Sequence, residues 1–146
     1  RTAACRVLGA IGDAQAIPHL IQALQDENSW VRQTACGALG EIGDSQAIPH
    51  LAQALQDKHS DVRRAACWAL GKIGDAQAIP HLAQALQDKH SDVRRAACRA
   101  LGKLGDLQAI PHLAQALQDE DWWIRKRVWE VLWQISVRNG IPIRMS

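Results

Sequence analysis

The chain is expected to fold as an all-α protein, a right-handed alpha-alpha superhelix of 31-residue two-helix repeats, and three observations predict this. Residues 47–67 and 78–98 are one and the same string, AIPHLAQALQDKHSDVRRAAC. Landmarks recur without slippage: Cys5, Cys36, Cys67 and Cys98; Pro18, Pro49, Pro80 and Pro111; His19, His50, His81 and His112. Apolar residues fall at helical spacing twice per copy, as Val62, Ala66, Ala69, Leu70 and Ile73, then Ile79, Leu82, Ala85 and Leu86. A period between roughly 20 and 50 residues marks a supersecondary unit that is copied and stacked, each copy burying its apolar face against its neighbours.

The copies are 1–31, 32–62, 63–93 and 94–124, followed by a diverging half repeat at 125–136 that caps the stack and a tail at 137–146. All of it reads as one domain, 1–146. Each copy supplies helix A and then helix B. At the head of helix A stand Asn28, His59, His90 and Asp121; Asn and Asp are good caps, and in the two His copies Ser60 and Ser91 are the expected acceptors. Gly74 follows the last apolar residue of helix A and suits a left-handed C-terminal cap. Asp75 caps the turn, and Pro80 sits in the first turn of helix B, where a missing N–H costs little. Gly9, Gly40, Gly71 and Gly102 lie inside helix A at about 1 kcal/mol each relative to Ala, so close helix packing is expected there. In the half repeat Trp129 and Trp133 replace the small residues Cys98 and Gly102, as an end cap would. The first copy starts inside the helix A pattern without an N-cap, which suggests a fragment truncated at its N-terminus, with an open edge at Ala4, Leu8 and Ile11 available for self-association.

Composition agrees. With 47% hydrophobic residues in 146 and no Phe or Tyr, the core must be Ala, Leu, Ile, Val and Cys, which suits thin, tightly stacked helices. No apolar run is long enough to span a membrane and no signal pattern opens the chain, so a cytoplasmic location is expected. A net charge of +2 is too small to argue for nucleic acid by itself.

Units of the form VRRAACxALGKIGDAQAIPHLAQALQD resemble the short HEAT-like repeats named after phycobilisome lyases, and are similar to the consensus of artificial repeat proteins built from them. The resemblance covers residues 1 to about 136. It implies a helical solenoid. The functions it includes are protein-binding scaffolds, sensor regions of signalling NTPases, bilin lyase subunits, a di-iron hydroxylase and DNA glycosylases.

Comparison of the copies shows what is free to vary. Helix B barely changes, whereas helix A varies at three places four residues apart: Thr2, Arg6, Ala10; Gln33, Gly37, Glu41; Arg64, Trp68, Lys72; Arg95, Arg99, Lys103; Lys126, Glu130, Gln134. That spacing puts each triplet on one helical face. The preceding loop extends the face through Trp30, Asp61, Asp92 and Trp123, with Trp122 at its edge. Drift on a solvated surface rarely yields Trp, the residue type that dominates protein-binding hot spots. In the artificial relatives, the resemblance implies that this same face is the concave binding surface. The expected function is therefore a non-catalytic scaffold binding a partner protein through Trp30, Gln33, Glu41, Asp61, Arg64, Trp68, Lys72, Arg95, Arg99, Lys103, Trp122, Trp123 and Lys126.

Other chemistry is disfavoured residue by residue. Cysteines one repeat apart sit about 9 to 10 Å from each other, too far for a disulfide, and one His per copy cannot converge on a metal. No phosphate loop, nucleophile with a base, or close carboxylate pair stands out, so neither enzyme activity nor a cofactor is expected. The di-iron hydroxylases implied by the resemblance carry His-Glu pairs; here each ladder His is followed by Leu. A bilin lyase-type subunit would need one distinctive chromophore pocket, which near-identical copies do not make. The stronger alternative is nucleic acid, through Arg6, Arg64, Lys72, Arg95, Arg99, Lys103, Lys126 and Arg127 with Trp68 stacking on a base, although Glu41, Asp61, Asp92 and Glu130 interrupt that stripe. Arg1, Arg32, Arg63, Arg94 and Arg125, constant between copies, are assigned to ion pairs with loop residues such as Asp57 and Asp88.

Overall fold

A computed structural model describes residues 1–142. Among these the chain is helical throughout, with α1 (Thr2–Ile11), α2 (Ile17–Ala23), α3 (Ser29–Ile42), α4 (Ile48–Ala54), α5 (Ser60–Ile73), α6 (Ile79–Ala85), α7 (Ser91–Leu104), α8 (Ile110–Gln115) and α9 (Trp122–Asn139). The odd-numbered helices are the A helices and pack side by side in one layer. Each even-numbered B helix is held against the A helix that follows it.

Local chemistry sets the turns. Gly43, Gly74 and Gly105 close A helices at φ 77, 75 and 61°, where an L side chain would be strained. Asp44, Asp75 and Asp106 then accept N–H bonds from Gln46, Gln77 and Gln108, starting a single 3-10 turn before each B helix, with Pro in its first turn. Asn28 and Asp121 cap their A helices through the N–H of Trp30 and Trp123, both at 2.8 Å. The His copies depart from the expected pattern. His90 itself caps α7, its Nδ1 accepting from Asp92 N–H at 3.2 Å, and α5 has no side-chain cap at His59. Ser60 and Ser91 are already the first helical residues, one position too late to serve.

An interior A helix is buried on all but one face: in α5, Val62, Ala66, Cys67, Ala69 and Leu70 are fully inaccessible, while Asp61, Arg64, Trp68 and Lys72 stay exposed. Each fully buried Leu or Val contributes about 1.5–3 kcal/mol. The A layer is drawn tight by glycine. A Cβ on Gly9 would lie 2.8 Å from the Ala38 Cα, and one on Gly71 would lie 2.9 Å from the Ala100 Cα. Backbones meet there at a distance that admits no side chain, which is the close packing the repeated glycines predict. B helices make few contacts with one another. Tighter spacing in one layer than in the other curves the stack, and the A helices line its inner side.

The expected ion pairs form a ladder down the core. Arg32, Arg63 and Arg94 are each at most 8% exposed, and each donates two bonds to the carboxylate 25 residues on, Asp57, Asp88 and Asp119, in the loop after the following B helix. Arg1 meets Asp26 at 3.1 Å, and Arg125 donates to the Asp119 carbonyl.

At the C-terminal end two expectations change. The helical repeat does not stop at residue 136: α9 runs to Asn139, because Ile135 and Ser136 are buried and Asn139 donates to the Ile135 carbonyl at 2.8 Å and to Gly105 at 3.5 Å. Trp129 and Trp133 do not close the stack. They lie off the buried stripe Ile124, Val128, Val131 and Ile135 and stay 36% and 59% exposed. The end of the tail, 143–146, lies outside the described residues.

Candidate functional site

The inner side of the A layer carries a groove of about 930 Å³ that runs from α1 to α7. Small residues line it, Gly9, Ala10, Gly37, Ala38, Ala65, Ala96 and Ala100; Gly9 meets the next A helix at Ala38 with no room for a side chain, whereas Gly37 faces open space. Trp30, Gln33, Glu41, Arg64, Trp68, Arg95, Arg99 and Lys103 of the expected surface stand around it.

Each wall has a local cause. The Asn28 cap fixes the backbone at Trp30, and Thr34 Oγ1 donates to the Trp30 carbonyl at 2.8 Å, holding the first turn of α3. Trp30 is 66% exposed. Trp68, on α5, leans back across Gly40 of α3, where a Cβ would lie 2.9 Å from its ring, and is 39% exposed. Between them lies Gly37, and a Cβ there would meet nothing within 4 Å. This leaves a notch beside the Trp68 ring.

Charge is uneven. Five cations line the groove, Arg6, Arg64, Arg95, Arg99 and Lys103, against Glu41 and Asp92. Arg64 pairs with Asp61 at 3.3 Å and Arg95 with Asp121 at 3.0 Å. Among the described residues, Arg6, Arg99 and Lys103 make no ion pair. Arg95 and Arg99 both lie over the Trp123 ring, 4.8 and 5.1 Å from its centroid, which orients their guanidinium groups. Burial alone would raise the Asp121 carboxyl, but the Arg95 hydrogen bond and the Trp123 and Ile124 N–H groups outweigh it and hold it low.

Asp61, Lys72, Trp122, Trp123 and Lys126 were also expected on this surface, and none of them lines the groove. Asp61 and Trp123 act behind it, as partners of Arg64 and of the Arg95–Arg99 pair. Trp122 is 64% exposed at the last repeat, with the Lys126 ammonium 5.4 Å from its ring. Conversely, the site expected from the sequence left out Arg6, Asp92 and the Gly and Ala floor. Arg6, Ala10, Gly37 and Asp92 shared the variable register and were legible there; Gly9, Ala38, Ala65, Ala96 and Ala100 lie off it and read as ordinary packing residues.

The cysteine thiols are unpaired and buried, and burial pushes Cys36, Cys67 and Cys98 up to about 12. Among the described residues no three His, Cys, Asp or Glu side chains come together as a metal site would require.

The family model for HEAT repeats matches residues 1–66 and 49–133. The chain belongs to the HEAT repeat family. The HEAT array is similar in structure to the complex of CpcE and CpcF of phycocyanin lyase from Nostoc sp. PCC7120, at 26% identity and TM-score 0.79 over 96% of this chain and 60% of that one. Human deoxyhypusine hydroxylase matches at 26% identity and TM-score 0.74, over 83% of this chain and 43% of that one. An engineered protein shares the fold at 24% identity and TM-score 0.63, over 97% of this chain and 70% of that one. The chain thus spans less than two thirds of the length of the first two. No curated protein matches it significantly in sequence.

Proposed function

We propose that this HEAT array is a non-catalytic scaffold that binds a partner protein in the groove along its A helices. The observation that carries this is the pair Trp30 and Trp68, set in one groove on a floor of Gly and Ala and left 66% and 39% exposed. Large, stiff aromatic side chains over a concave surface are the usual anchors of protein interfaces, because they bury much area for little entropy. Stacked repeats also hold those anchors in place before binding, which lowers the ordering cost. The similar lyase structure is itself a complex of two proteins, which is consistent with a protein partner. Unpaired buried thiols fit a reducing compartment, and we place the chain in the cytoplasm on that ground. Among the described residues no helix is long and apolar enough to cross a membrane.

The test is affinity capture from lysate with the parent chain and with a Trp30→Ala, Trp68→Ala, Arg99→Ala variant. A protein captured by the parent, lost with the variant and indifferent to nuclease supports the reading; equal capture by parent and variant defeats it.

A second reading is favoured by one observation, the excess of cations beside Trp68. Binding to single-stranded nucleic acid through that stripe would weaken steeply with salt and vanish with nuclease.

A further inference from the structure

Resting on the groove as the binding site, the geometry points to the kind of partner: we infer that the groove takes an acidic segment of a protein and seats one large apolar side chain of it in the notch over Gly37, between Trp30 and Trp68.

Two independent features of the groove specify this occupant. The first is shape. Along the middle register of the variable face the side chains run Arg6, Gly37, Trp68, Arg99, so one rung is missing where its neighbour is largest. A Cβ on Gly37 would meet nothing within 4 Å, while the Trp68 ring lies over Gly40 one turn further along the same helix. The gap is therefore open space in the same groove as the Trp30 and Trp68 indoles. Gln33 and Glu41 stand one turn to either side of Gly37 on the same face, so the recess favours an apolar side chain that packs on indole between them.

The second feature is charge. Arg6 on α1 and Arg99 and Lys103 on α7 lie toward the two ends of the groove, and among the described residues none of the three has a carboxylate within ion-pair distance. Arg99 is held against Trp123 by its ring contact, so it is oriented before any ligand arrives. Arg64 and Arg95 keep their own partners in Asp61 and Asp121. The unpaired cations thus lie toward both ends of the groove, with the notch between them, and carboxylates on either side of the anchoring residue would meet them. Glu41 and Asp92, the two acids of the groove, would repel a uniformly anionic polymer more than a segment with spaced carboxylates.

Panning a random peptide display library on the intact chain tests this, with Gly37→Leu and Trp68→Ala variants as counter-targets. Gly37→Leu is a sound control because the site has room and Leu is the better helix former; its fold is checked by circular dichroism and an unchanged or higher Tm. The expected result is a set of peptides rich in Asp and Glu around one Leu, Ile, Phe or Trp, lost on both variants. Synthetic copies should bind about tenfold more weakly when their acids are changed to Gln, the scale of a few exposed ion pairs. Basic peptides lost on both variants would overturn the acidic partner while leaving the groove as the site. Acidic peptides that bind the variants as well would overturn both. Failure to enrich any peptide overturns the inference, and so does an oligothymidylate that binds the parent, loses affinity on Gly37→Leu and shows a steep salt slope.

Discussion

The Arg63 guanidinium of α5 ties two successive loops together: Nε and Nη2 donate to the Asp88 carboxylate at 2.8 and 3.1 Å, and Nη1 donates to the Asp57 carbonyl at 2.8 Å. Asp88 in turn accepts the His90 N–H at 2.8 Å, so the carboxylate that holds Arg63 also shapes the turn into α7. The repeat-to-repeat register therefore has a polar spine parallel to its apolar core.

Arg63→Met should destabilise the chain by about 3 kcal/mol, because it leaves Asp88 desolvated and uncompensated. The double variant Arg63→Met, Asp88→Leu should be clearly milder than Arg63→Met alone. Urea unfolding of both variants beside the parent checks this; equal losses would mean the pair carries little coupling.

Stability should fall at acid pH. Burial tends to raise the Asp57 and Asp88 carboxyls, but hydrogen bonds from Arg32 and Arg63 and from the His59 and His90 N–H groups overcome it and hold both below their ordinary value. A folded-state value below the unfolded one gives stability that is present above the unfolded value, about 3.9, and lost as pH falls through the folded value. Tm should therefore be level between about pH 5 and pH 8 and drop below about pH 4. In the Asp57→Asn, Asp88→Asn double variant the plateau should be lower and the acid drop shallower.

Two glycines of α3 and α5 should respond in opposite directions. Gly71→Ala drives a Cβ to 2.9 Å from the Ala100 backbone and should cost about 2 kcal/mol. Gly37→Ala enters open space and should gain about 1 kcal/mol from helix propensity. Thermal melts of the two variants decide it, and a Gly37→Ala variant less stable than the parent would show that the notch is not open.

The thiols should be silent in the folded chain. Burial pushes Cys36, Cys67 and Cys98 up to about 12, so at pH 8 almost none is thiolate and none is accessible. A thiol reagent should label them only at the rate of opening, with Cys5 first, since α1 leaves Val7 and Ile11 56% and 65% exposed. Raised folded-state values also mean that stability is full below about pH 8.5 and declines as pH rises further. Rapid labelling of Cys67 under native conditions would contradict the packed A layer.

The repeat, the two helices per copy, the Gly, Asp and Pro punctuation between them, and the arginine ladder were all legible in the order of the residues. These are local or strictly periodic properties: a cap, a turn or an i, i+4 face depends on residues a few positions apart, and periodicity repeats the same answer in every copy. Tertiary structure decided the rest. It moved the cap from Ser91 to His90, carried α9 past residue 136, left Trp129 and Trp133 in the open, and set Trp123 beneath Arg95 and Arg99 instead of in the groove. Above all it assembled the groove, because the depth at Gly37 and the separation of Trp30 from Trp68 depend on how closely the A helices approach. That distance is fixed by Gly9, Gly40 and Gly71 meeting the next backbone, and the curvature it imposes accumulates over several repeats and belongs to no single one.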